Sequence, residues 1–278
     1  MSPHASLRIA FLAAIGFAAS ASLRADVLTL GAAHDNSIFA NNVNNSAGGG
    51  PGIFAGTNGA NSPRRGLISF DLTNIPAGAT ITNVQLTLTL GQVAGTPPSA
   101  ATIGLFDLTR AWGEGTAASG ASGISGSGQG SPAIGNDATW NAAFFPGTVW
   151  TNPDSTPAPG GAHATAASAS LTLSTSPLDT SRTWLSTPQL VADVQGWVNN
   201  SSTNFGWELI NANEVSANSV CGFYSREWST STFGTGTSHA GDVPALQVIY
   251  TVPEPASVSL AAIAAFSLLL ARPLRRRA

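Results

Sequence analysis

Apolar and polar residues alternate at period two in several short runs of this 278-residue chain. In the clearest run, Val84–Leu90, every second residue is Val or Leu and the residues between them are Gln or Thr. Successive side chains of a strand point to opposite faces, so this spacing predicts one buried face and one hydrated face. Runs of the same kind, or runs rich in Thr, Val and aromatic residues, occur at Val27–Leu30, Leu67–Leu72, Ile103–Leu108, Ala169–Leu173, Phe205–Leu209, Ser219–Arg226 and Leu246–Thr251. The repeated pattern predicts a chain built mainly from β-strands.

One segment, Pro188–Asn199, has helical rather than strand spacing. It begins with a proline, places Leu190, Val194 and Trp197 on one face, and is followed by a polar run. Because the strands do not alternate with helices, we expect them to be antiparallel. The length of residues 26–252 suits one large sandwich or two small domains. We predict the all-β class: an antiparallel two-sheet jelly-roll-like β-sandwich with one short helix.

Two long stretches lack periodicity. The first, 41–61, is rich in Asn and Gly, and the second, 113–167, is rich in Gly, Ser, Ala and Pro. Within the second stretch, 117–135 has the composition of a flexible Gly/Ser loop. Four aromatic residues between Trp140 and Trp150 interrupt its second half. We therefore expect that half to pack back onto the sandwich.

The first 25 residues have the organisation of a secretory signal peptide. Arg8 lies in a short basic region, an apolar stretch from Ile9 to Ala19 follows, and small residues lead to Ala25. The apolar stretch is too short to span a membrane, and the pattern predicts export followed by cleavage.

The last 26 residues, 253–278, form a second terminal module. An apolar run, Ala256–Ala271, lies between a short box at its start and an arginine cluster at its end. Sixteen helical residues span about 24 Å, slightly under the usual length of a transmembrane helix. Arginines mark the cytoplasmic flank of a span, so the bulk of the chain is expected outside. The box is Pro253, Glu254 and Pro255, and the cluster is Arg275, Arg276 and Arg277.

This order of box, apolar helix and arginine cluster at the extreme C-terminus resembles the PEP-CTERM sorting signal. The resemblance implies a Gram-negative bacterium with an exopolysaccharide-linked system, and an exosortase-type enzyme that processes the chain near the box. The protein would then be anchored in the inner membrane before processing and reside at the cell surface or in the extracellular matrix afterwards. A plain C-terminal anchor that is never cut is the alternative.

The charge of the chain excludes several classes of protein. Charged residues make up 9% of the sequence and lysine is absent, whereas a nucleic-acid partner calls for clustered Lys and Arg. The single cysteine, Cys221, excludes a disulfide framework, and its apolar neighbours predict a buried thiol. Residues 26–252 carry 5 Arg against 13 acidic residues, a net charge of −8. The exported part is therefore acidic, and nucleic acid is not an expected partner.

Catalytic motifs are absent from the sequence, and we expect a protein that is not an enzyme. The best carboxylate pair for glycoside chemistry is Asp71 with Glu114, but sequence does not give their separation. Tryptophan faces can stack on sugar rings or fill a core. Trp197 and Trp207 are expected in the core. Four tryptophans near junctions of loops and strands are the candidate ligand contacts: Trp112, Trp140, Trp150 and Trp228.

Two polar features point to structural roles. Arg226 and Glu227 are neighbours on a predicted strand and so face opposite sides. We expect Arg226 to form a structural ion pair with a carboxylate such as Asp71 or Asp107. Asp35 and the following Asn-rich segment offer oxygen ligands suited to calcium, although no complete calcium-loop motif is present. A structural calcium ion is the one cofactor that the sequence leaves open.

An ordered series of motifs over residues 27–251 resembles the DNRLRE domain. The series comprises Arg65–Leu72, Ile75–Ile81, Trp112–Thr116, Ala138–Asn141, Leu190–Asn199, Phe223–Glu227 and Pro244–Thr251. The resemblance implies a secreted jelly-roll sandwich, attached in some relatives to surface or polysaccharide-active proteins and in others able to bind acidic polysaccharides. A net charge of −8 would repel an acidic glycan, so neutral glycans or calcium-bridged contacts fit this chain better.

Together these features predict an exported, non-enzymatic protein of the cell envelope or extracellular matrix. It would be sorted through its C-terminal helix and would contact polysaccharide or other surfaces through loop aromatics. The alternatives are a secreted polysaccharide-active enzyme and a structural surface protein without a ligand.

Overall fold

The computed structural model describes residues 24–118, 129–230 and 241–252. Ala25–Val252 forms one compact unit. The strands are β1 (Arg24–Phe39), β2 (Asn45–Ser46), β3 (Gly52–Thr57), β4 (Pro63–Phe70), β5 (Thr80–Val93), β6 (Ala100–Asp107), β7 (Ser131–Pro132), β8 (Ala142–Phe144), β9 (Thr148–Val149), β10 (Ala169–Ser174), β11 (Thr180–Trp184), β12 (Trp207–Asn211), β13 (Cys221–Tyr224) and β14 (Ala245–Val252). The helices are α1 (Pro188–Asn199) and two 3-10 helices, Ser201–Thr203 and Arg226–Thr230.

The described residues are mainly β-strand with a single α-helix, as the sequence predicts. Twelve strands form one continuous hydrogen-bonded network in the order β10-β6-β12-β4-β3-β13-β5-β14-β1-β2-β7, and the twelfth strand, β11, also pairs with β5. Wherever the described residues define a register within this network, the paired strands are antiparallel. The predicted all-β class and antiparallel pairing are therefore confirmed.

Two strands connect the two halves of this network. β3 pairs with β13 over its first four residues and with β4 at Gly56 and Thr57. β1 neighbours β14, and its second part pairs with β4 from Ala32 to Phe39. One half contains β5, β11, β13 and β14, and the other contains β4, β6, β10 and β12. The arrangement is sandwich-like because these halves pack face to face.

The main hydrophobic core lies between the two halves. In β5, Leu86 and Leu88 are fully buried at every second position, as the alternation predicts. Trp184 of β11 packs its ring against Phe223 of β13, with centroids 5.8 Å apart. Its Nε1 donates a hydrogen bond to the carbonyl oxygen of Ile103 in β6, 2.8 Å away. A single tryptophan thus ties one half to the other and satisfies its own polar atom inside the core.

Helix α1 begins where the sequence places it. Thr187 is the N-cap, and its side chain accepts a hydrogen bond from the backbone N–H of Leu190, while Pro188 occupies the first turn. Trp197 lies 4.5 Å from Trp207 of β12, measured between ring centroids, and both are buried. The prediction that these two tryptophans belong to the core is confirmed, and so is that of a buried Cys221.

Two predictions about irregular stretches are corrected. The stretch 41–61 contains β3, in which every residue from Gly52 to Thr57 is buried. A strand covered on both faces has no polar alternation, so the period-two pattern could not reveal it. In the predicted loop 117–135, Ser131–Pro132 forms a strand that pairs with β2, while 119–128 lie outside the described residues.

Residues 136–166, called the covering segment below, pack onto the sheet face that points away from the main core. In β4, Ile68 faces the main core, and its neighbour Leu67 faces the covering segment. The second hydrophobic cluster formed there contains Ile38, Leu67, Leu108, Ala138, Ala143, Trp150 and Ala162. The expectation that the aromatic half of the second stretch packs back onto the sandwich is confirmed.

Across 24–118, 129–230 and 241–252, no helix has the length and apolarity needed to cross a membrane. The predicted signal peptide and the predicted C-terminal transmembrane helix fall in 1–23 and 253–278, outside the described residues. Both remain predictions from the sequence.

Candidate functional site

Three segments that are distant in sequence bring together an arginine, a histidine and three carboxylates. His34 and Asp35 belong to β1, Glu114 lies in the loop after β6, and Arg226 and Glu227 begin the 3-10 helix after β13. The register of β1 against β4 shifts between Ala32 and His34. A shift of this kind is a bulge, which bends a strand and redirects its side chains. We call these five residues the Glu114 cluster.

Arg226 organises the cluster through charge-assisted hydrogen bonds. Its Nε donates to Oε1 of Glu114 at 2.7 Å and its Nη2 donates to Oε2 at 2.7 Å, a bidentate pair. The same Nε lies 2.9 Å from Oε1 of Glu227. The same two oxygens of Glu114 have further partners. Oε2 lies 3.1 Å from Nδ1 of His34, and Oε1 accepts the backbone N–H of Asp35 at 2.9 Å. Glu114 is therefore held by three different residues.

Asp35 is the innermost member of the cluster. Its Oδ2 accepts the backbone N–H of Arg226 at 2.8 Å. Its Oδ1 is buried and accepts no hydrogen bond from the residues that the structure describes. Burial raises the pKa of Asp35 well above its usual range, and the negative charges of Glu227 and Glu114 raise it further. Burial also raises the pKa of Glu227, against the opposing effect of Arg226.

The cluster corrects the predicted ion pair of Arg226 with Asp71. Asp71 is exposed, and its Oδ1 accepts the backbone N–H of Thr73 at 2.9 Å, which lowers the pKa of Asp71. Arg226 and Glu227 meet because they lie in a 3-10 helix, where neighbouring side chains do not alternate between faces as they would in a strand. The predicted carboxylate partner exists, but its identity differs.

The three carboxylates of the cluster also change where a metal ion would bind, compared with the predicted calcium site at Asp35 and the Asn-rich segment. One ligand atom from each of Asp35, Glu114 and Glu227 lies within 4.8 Å of the others. The Asn-rich segment that follows Asp35, by contrast, uses its amides internally. Asn42 and Asn45 donate to the side-chain and backbone oxygens of Gln129, at 2.8 and 2.9 Å. The oxygen set able to hold a cation is thus carboxylate and distributed over three segments.

Two of the four candidate tryptophans are partly exposed. Trp112 donates from Nε1 to the carbonyl oxygen of Phe205 at 2.8 Å, and its ring meets His34 edge-on with centroids 6.4 Å apart. Trp112 therefore adjoins the Glu114 cluster. Trp140 lies elsewhere, with the guanidinium carbon of Arg65 5.3 Å from the centroid of its ring.

The other two candidate tryptophans are buried, and for them the stacking prediction is wrong. Trp150 is 1% exposed and donates from Nε1 to the carbonyl oxygen of Thr139 at 2.7 Å. Trp228 is 5% exposed and stacks on Tyr224, with ring centroids 4.3 Å apart. Each ring has its faces covered by protein, so neither presents a surface on which a sugar could stack.

A second polar site, which sequence reasoning missed, lies beneath the covering segment. Glu208 of β12 is fully buried, and neither of its carboxylate oxygens has a hydrogen-bond donor among the described residues. Arg65 Nη1 and His163 Nε2 each lie 3.8 Å from one of these oxygens, and Arg65 forms a bidentate pair with Glu214. Gly161 packs so close that a Cβ there would be 2.4 Å from both oxygens. Burial raises the pKa of Glu208 to about 8, against the effect of Arg65.

A third polar site lines a cavity of about 270 Å³ beside helix α1. Asp107 and Asp193 both face this cavity, together with Trp197. Asp193 is held by hydrogen bonds to its two oxygens from Gln189 and Trp207, each at 2.9 Å. Burial raises the pKa of Asp107 to about 7, and the charge of Asp193 adds to this shift. A carboxylate with a raised pKa beside a second carboxylate in a cavity is typical of acid–base sites, and also of structural pairs.

No protein-family model matches the chain, and no curated protein matches it at a significant level. The function therefore has to be inferred from the groups described above.

Proposed function

We propose that this chain is an exported, non-enzymatic protein of the cell envelope or extracellular matrix that contacts polysaccharide. The observation that carries the proposal is the order of its parts. A compact β-rich unit, Ala25–Val252, lies between an N-terminal segment with signal-peptide organisation and a C-terminal segment that resembles PEP-CTERM. Antiparallel β-sandwiches are common among secreted binding modules, and this architecture supports the proposal without fixing the function.

The finer fold assignment belongs to the same proposal. We assign the unit a jelly-roll-like order of the DNRLRE type, in which two sheets share β1 and β3. The strand order supports this assignment, because β5, from the first third of the unit, pairs with the last strand, β14, along seven registered positions.

The Glu114 cluster is the surface best suited to a polysaccharide contact. His34 is 61% exposed and Arg226 is 42% exposed, and the partly exposed ring of Trp112 lies next to His34. Hydrogen-bond donors beside an aromatic edge match the hydroxyl groups and apolar C–H faces of sugars. The acidic exported part disfavours an anionic glycan unless a cation bridges the contact.

A binding assay tests this assignment. The full chain, purified in mild detergent, is applied to exopolysaccharide isolated from the producing bacterium. We expect His34→Ala to weaken binding by roughly 2- to 10-fold, which corresponds to one hydrogen bond. Val215→Ala, which trims a 94% exposed side chain elsewhere, is the matched control and is expected to bind normally. Equal binding by His34→Ala and the unchanged chain would contradict the assignment, and an absence of binding by all three would favour a structural protein without a ligand.

Sorting is tested separately. Mass spectrometry of the protein recovered from outside the cell is expected to find no peptide from 256–278. An intact C-terminus in that material would contradict processing near Pro253 and would favour a permanent anchor.

A polysaccharide-active enzyme is the second candidate, and the Asp107 cavity is the observation that favours it. The carboxylate pair that the sequence offers for glycoside chemistry, Asp71 and Glu114, is not supported, because Glu114 is engaged by Arg226 and Asp71 caps a turn. Turnover of any polysaccharide that Asp107→Asn abolishes, while His34→Ala leaves it intact, would establish this candidate.

A further inference from the structure

We propose that Asp35, Glu114 and Glu227 together bind one divalent cation, and that Ca²⁺ fits the site best. The cation would bind to the Glu114 cluster whether or not polysaccharide is present. Cation binding therefore goes beyond the proposed function and can be tested without a polysaccharide.

The first argument is charge balance. Carboxylates must be ionised to coordinate a metal ion, so Asp35, Glu114 and Glu227 would together bring three negative charges into a small volume, against one positive charge on Arg226. His34 lies at the rim and is largely exposed, so solvent screens its contribution. The cluster then has two negative charges in excess, and one divalent cation brings the sum to zero. A monovalent cation leaves one charge unbalanced next to the fully buried Asp35.

The second argument is an unused ligand atom. Asp35 is completely buried, and its Oδ1 accepts no hydrogen bond from the described residues although its carboxylate group lies against Glu114 and Glu227. Buried carboxylate oxygens are normally satisfied by donors or by metal ions. The other oxygen of Asp35 is fixed by the backbone N–H of Arg226, which holds the carboxylate in place. The Asp35 carboxylate is thus positioned before any ion arrives.

Arg226 does not occupy all the lone pairs of its partners. Each carboxylate oxygen can accept more than one contact, so Glu114 and Glu227 can keep their bonds to Arg226 and still coordinate an ion. Glu114 is 10% exposed and Glu227 22% exposed, which leaves an edge open to water. Calcium takes six to eight oxygen ligands, and water would supply those that the three carboxylates do not.

The coordination chemistry of the two ions favours calcium over magnesium at this site. Two Ca²⁺–O bonds of about 2.3–2.6 Å span separations up to about 5 Å, whereas two Mg²⁺–O bonds of about 2.0–2.1 Å span little more than 4 Å. The ligand atoms of the three carboxylates lie within 4.8 Å of one another, a separation that one Ca²⁺ ion can bridge. Magnesium also dehydrates reluctantly and demands octahedral geometry.

The loop that carries Glu114 is fixed independently of any ion. The backbone carbonyl oxygen of Glu114 accepts a hydrogen bond from the side-chain amide of Asn36 at 2.9 Å. At the next residue, Gly115, φ is +71° and a Cβ would lie 1.2 Å from Oδ1 of Asp137, which instead accepts the backbone N–H of Thr116 at 2.8 Å. A site whose ligands are already held in position loses little entropy when it binds.

Calorimetric titration of the full chain with CaCl₂, after treatment with a chelator, is the direct test. We expect one Ca²⁺ per chain with a Kd of about 10⁻⁴–10⁻³ M, the range of extracellular modules. About 10 mM Ca²⁺ is then expected to raise the Tm by about 3–10 °C. We expect Mg²⁺ to bind at least about tenfold more weakly. No heat and no change in Tm with Ca²⁺ would overturn the proposal, because Arg226 and protons would then suffice to neutralise the cluster.

Variants locate the ion. Asp35→Asn removes a charge with little change in shape and is expected to weaken Ca²⁺ binding by at least about tenfold. Glu227→Gln, at a more exposed position, serves the same purpose if Asp35→Asn does not fold. Asp71→Asn is the matched control, since Asp71 is an exposed carboxylate outside the cluster, and it is expected to bind Ca²⁺ normally. Unchanged Ca²⁺ binding by Glu227→Gln and Asp35→Asn, or equal binding of Mg²⁺ and Ca²⁺, would contradict the assignment.

Discussion

Replacing Glu208 with Gln is expected to stabilise the protein at neutral pH. Glu208 is fully buried under the covering segment, and its two oxygens have no hydrogen-bond donors among the described residues. The ionised form is therefore poorly solvated, and its pKa is raised from 4.5 to about 8. Gln has nearly the same shape and no charge. Nδ1 of His163 lies 2.7 Å from the carbonyl oxygen of Ala164, so Nδ1 carries the proton and Nε2 can accept a hydrogen bond from the new amide.

The size of the effect follows from the two pKa values. Because the pKa of Glu208 is higher in the folded state, its contribution to stability is fully present below about pH 4.5 and is lost as the pH rises toward 8. Each pH unit in that interval costs ~1.4 kcal/mol, so the unchanged chain has lost about 3 kcal/mol at pH 7. Glu208→Gln does not suffer this loss. For a unit of this length, the gain corresponds to a Tm higher by about 6–12 °C.

Thermal unfolding at pH 4 and pH 7 measures the difference. We expect Glu208→Gln to match the unchanged chain at pH 4 and to exceed it at pH 7. Glu214→Gln is the matched control, since it makes the same chemical change in a carboxylate that forms a bidentate pair with Arg65. We expect that control to be less stable than the unchanged chain at pH 7. A Glu208→Gln variant that is equal or less stable at pH 7 would refute the reasoning.

Three further predictions concern packing, capping and ionisation. Trp150→Ala removes a buried ring from the second hydrophobic cluster and is expected to cost about 3–5 kcal/mol in the free energy of unfolding, measured with denaturant. Thr187→Ala removes the N-cap of α1 and is expected to cost about 1 kcal/mol in the same assay, whereas Thr187→Ser is expected to retain most of the stability. The pKa of Asp107 is raised to about 7, so stability is lost as the pH rises from about 4 to 7, and Asp107→Asn is expected to flatten that decline in Tm.

Sequence patterns predicted the strands that bury one face. β5 is the best example, because its apolar residues are spaced two apart and the structure buries them while it leaves Gln85 and Thr87 between them more accessible. The helix was equally clear, since a proline, an apolar stripe and a polar end all agree at Pro188–Asn199. β3 had no such signal, because a strand buried on both faces has the composition of any apolar run.

The location of Glu208 shows why the outer face of a sheet is difficult to predict. In the run Phe205–Leu209 the alternation places Trp207 and Leu209 in the core and Glu208 on the other face, where water is expected. The covering segment lies over that face and excludes the water. The sequence did predict that aromatic residues after Trp140 pack back onto the sandwich. Combining that prediction with the alternation would have indicated a buried Glu208.

The Glu114 cluster was predicted only in fragments. The sequence singled out Glu114, Arg226 and Asp35 for separate reasons, but Asp35 lies 79 residues from Glu114 and 191 residues from Arg226. No local pattern encodes such contacts, which arise from the order of the strands. Trp150 and Trp228 failed as ligand contacts for a related reason, because a large aromatic ring suits a core and a sugar-stacking surface equally well.

Hydrogen–deuterium exchange of the full chain, with and without exopolysaccharide from the producing bacterium, tests the central claim most directly. Amide protons that become covered or rigid exchange more slowly. We expect bound polysaccharide to slow exchange in β1 around His34 and in the 3-10 helix Arg226–Thr230, and to leave α1 beside the Asp107 cavity unchanged. Protection confined to α1, or no protection anywhere in the β unit, would contradict the claim that this protein contacts polysaccharide through the Glu114 cluster.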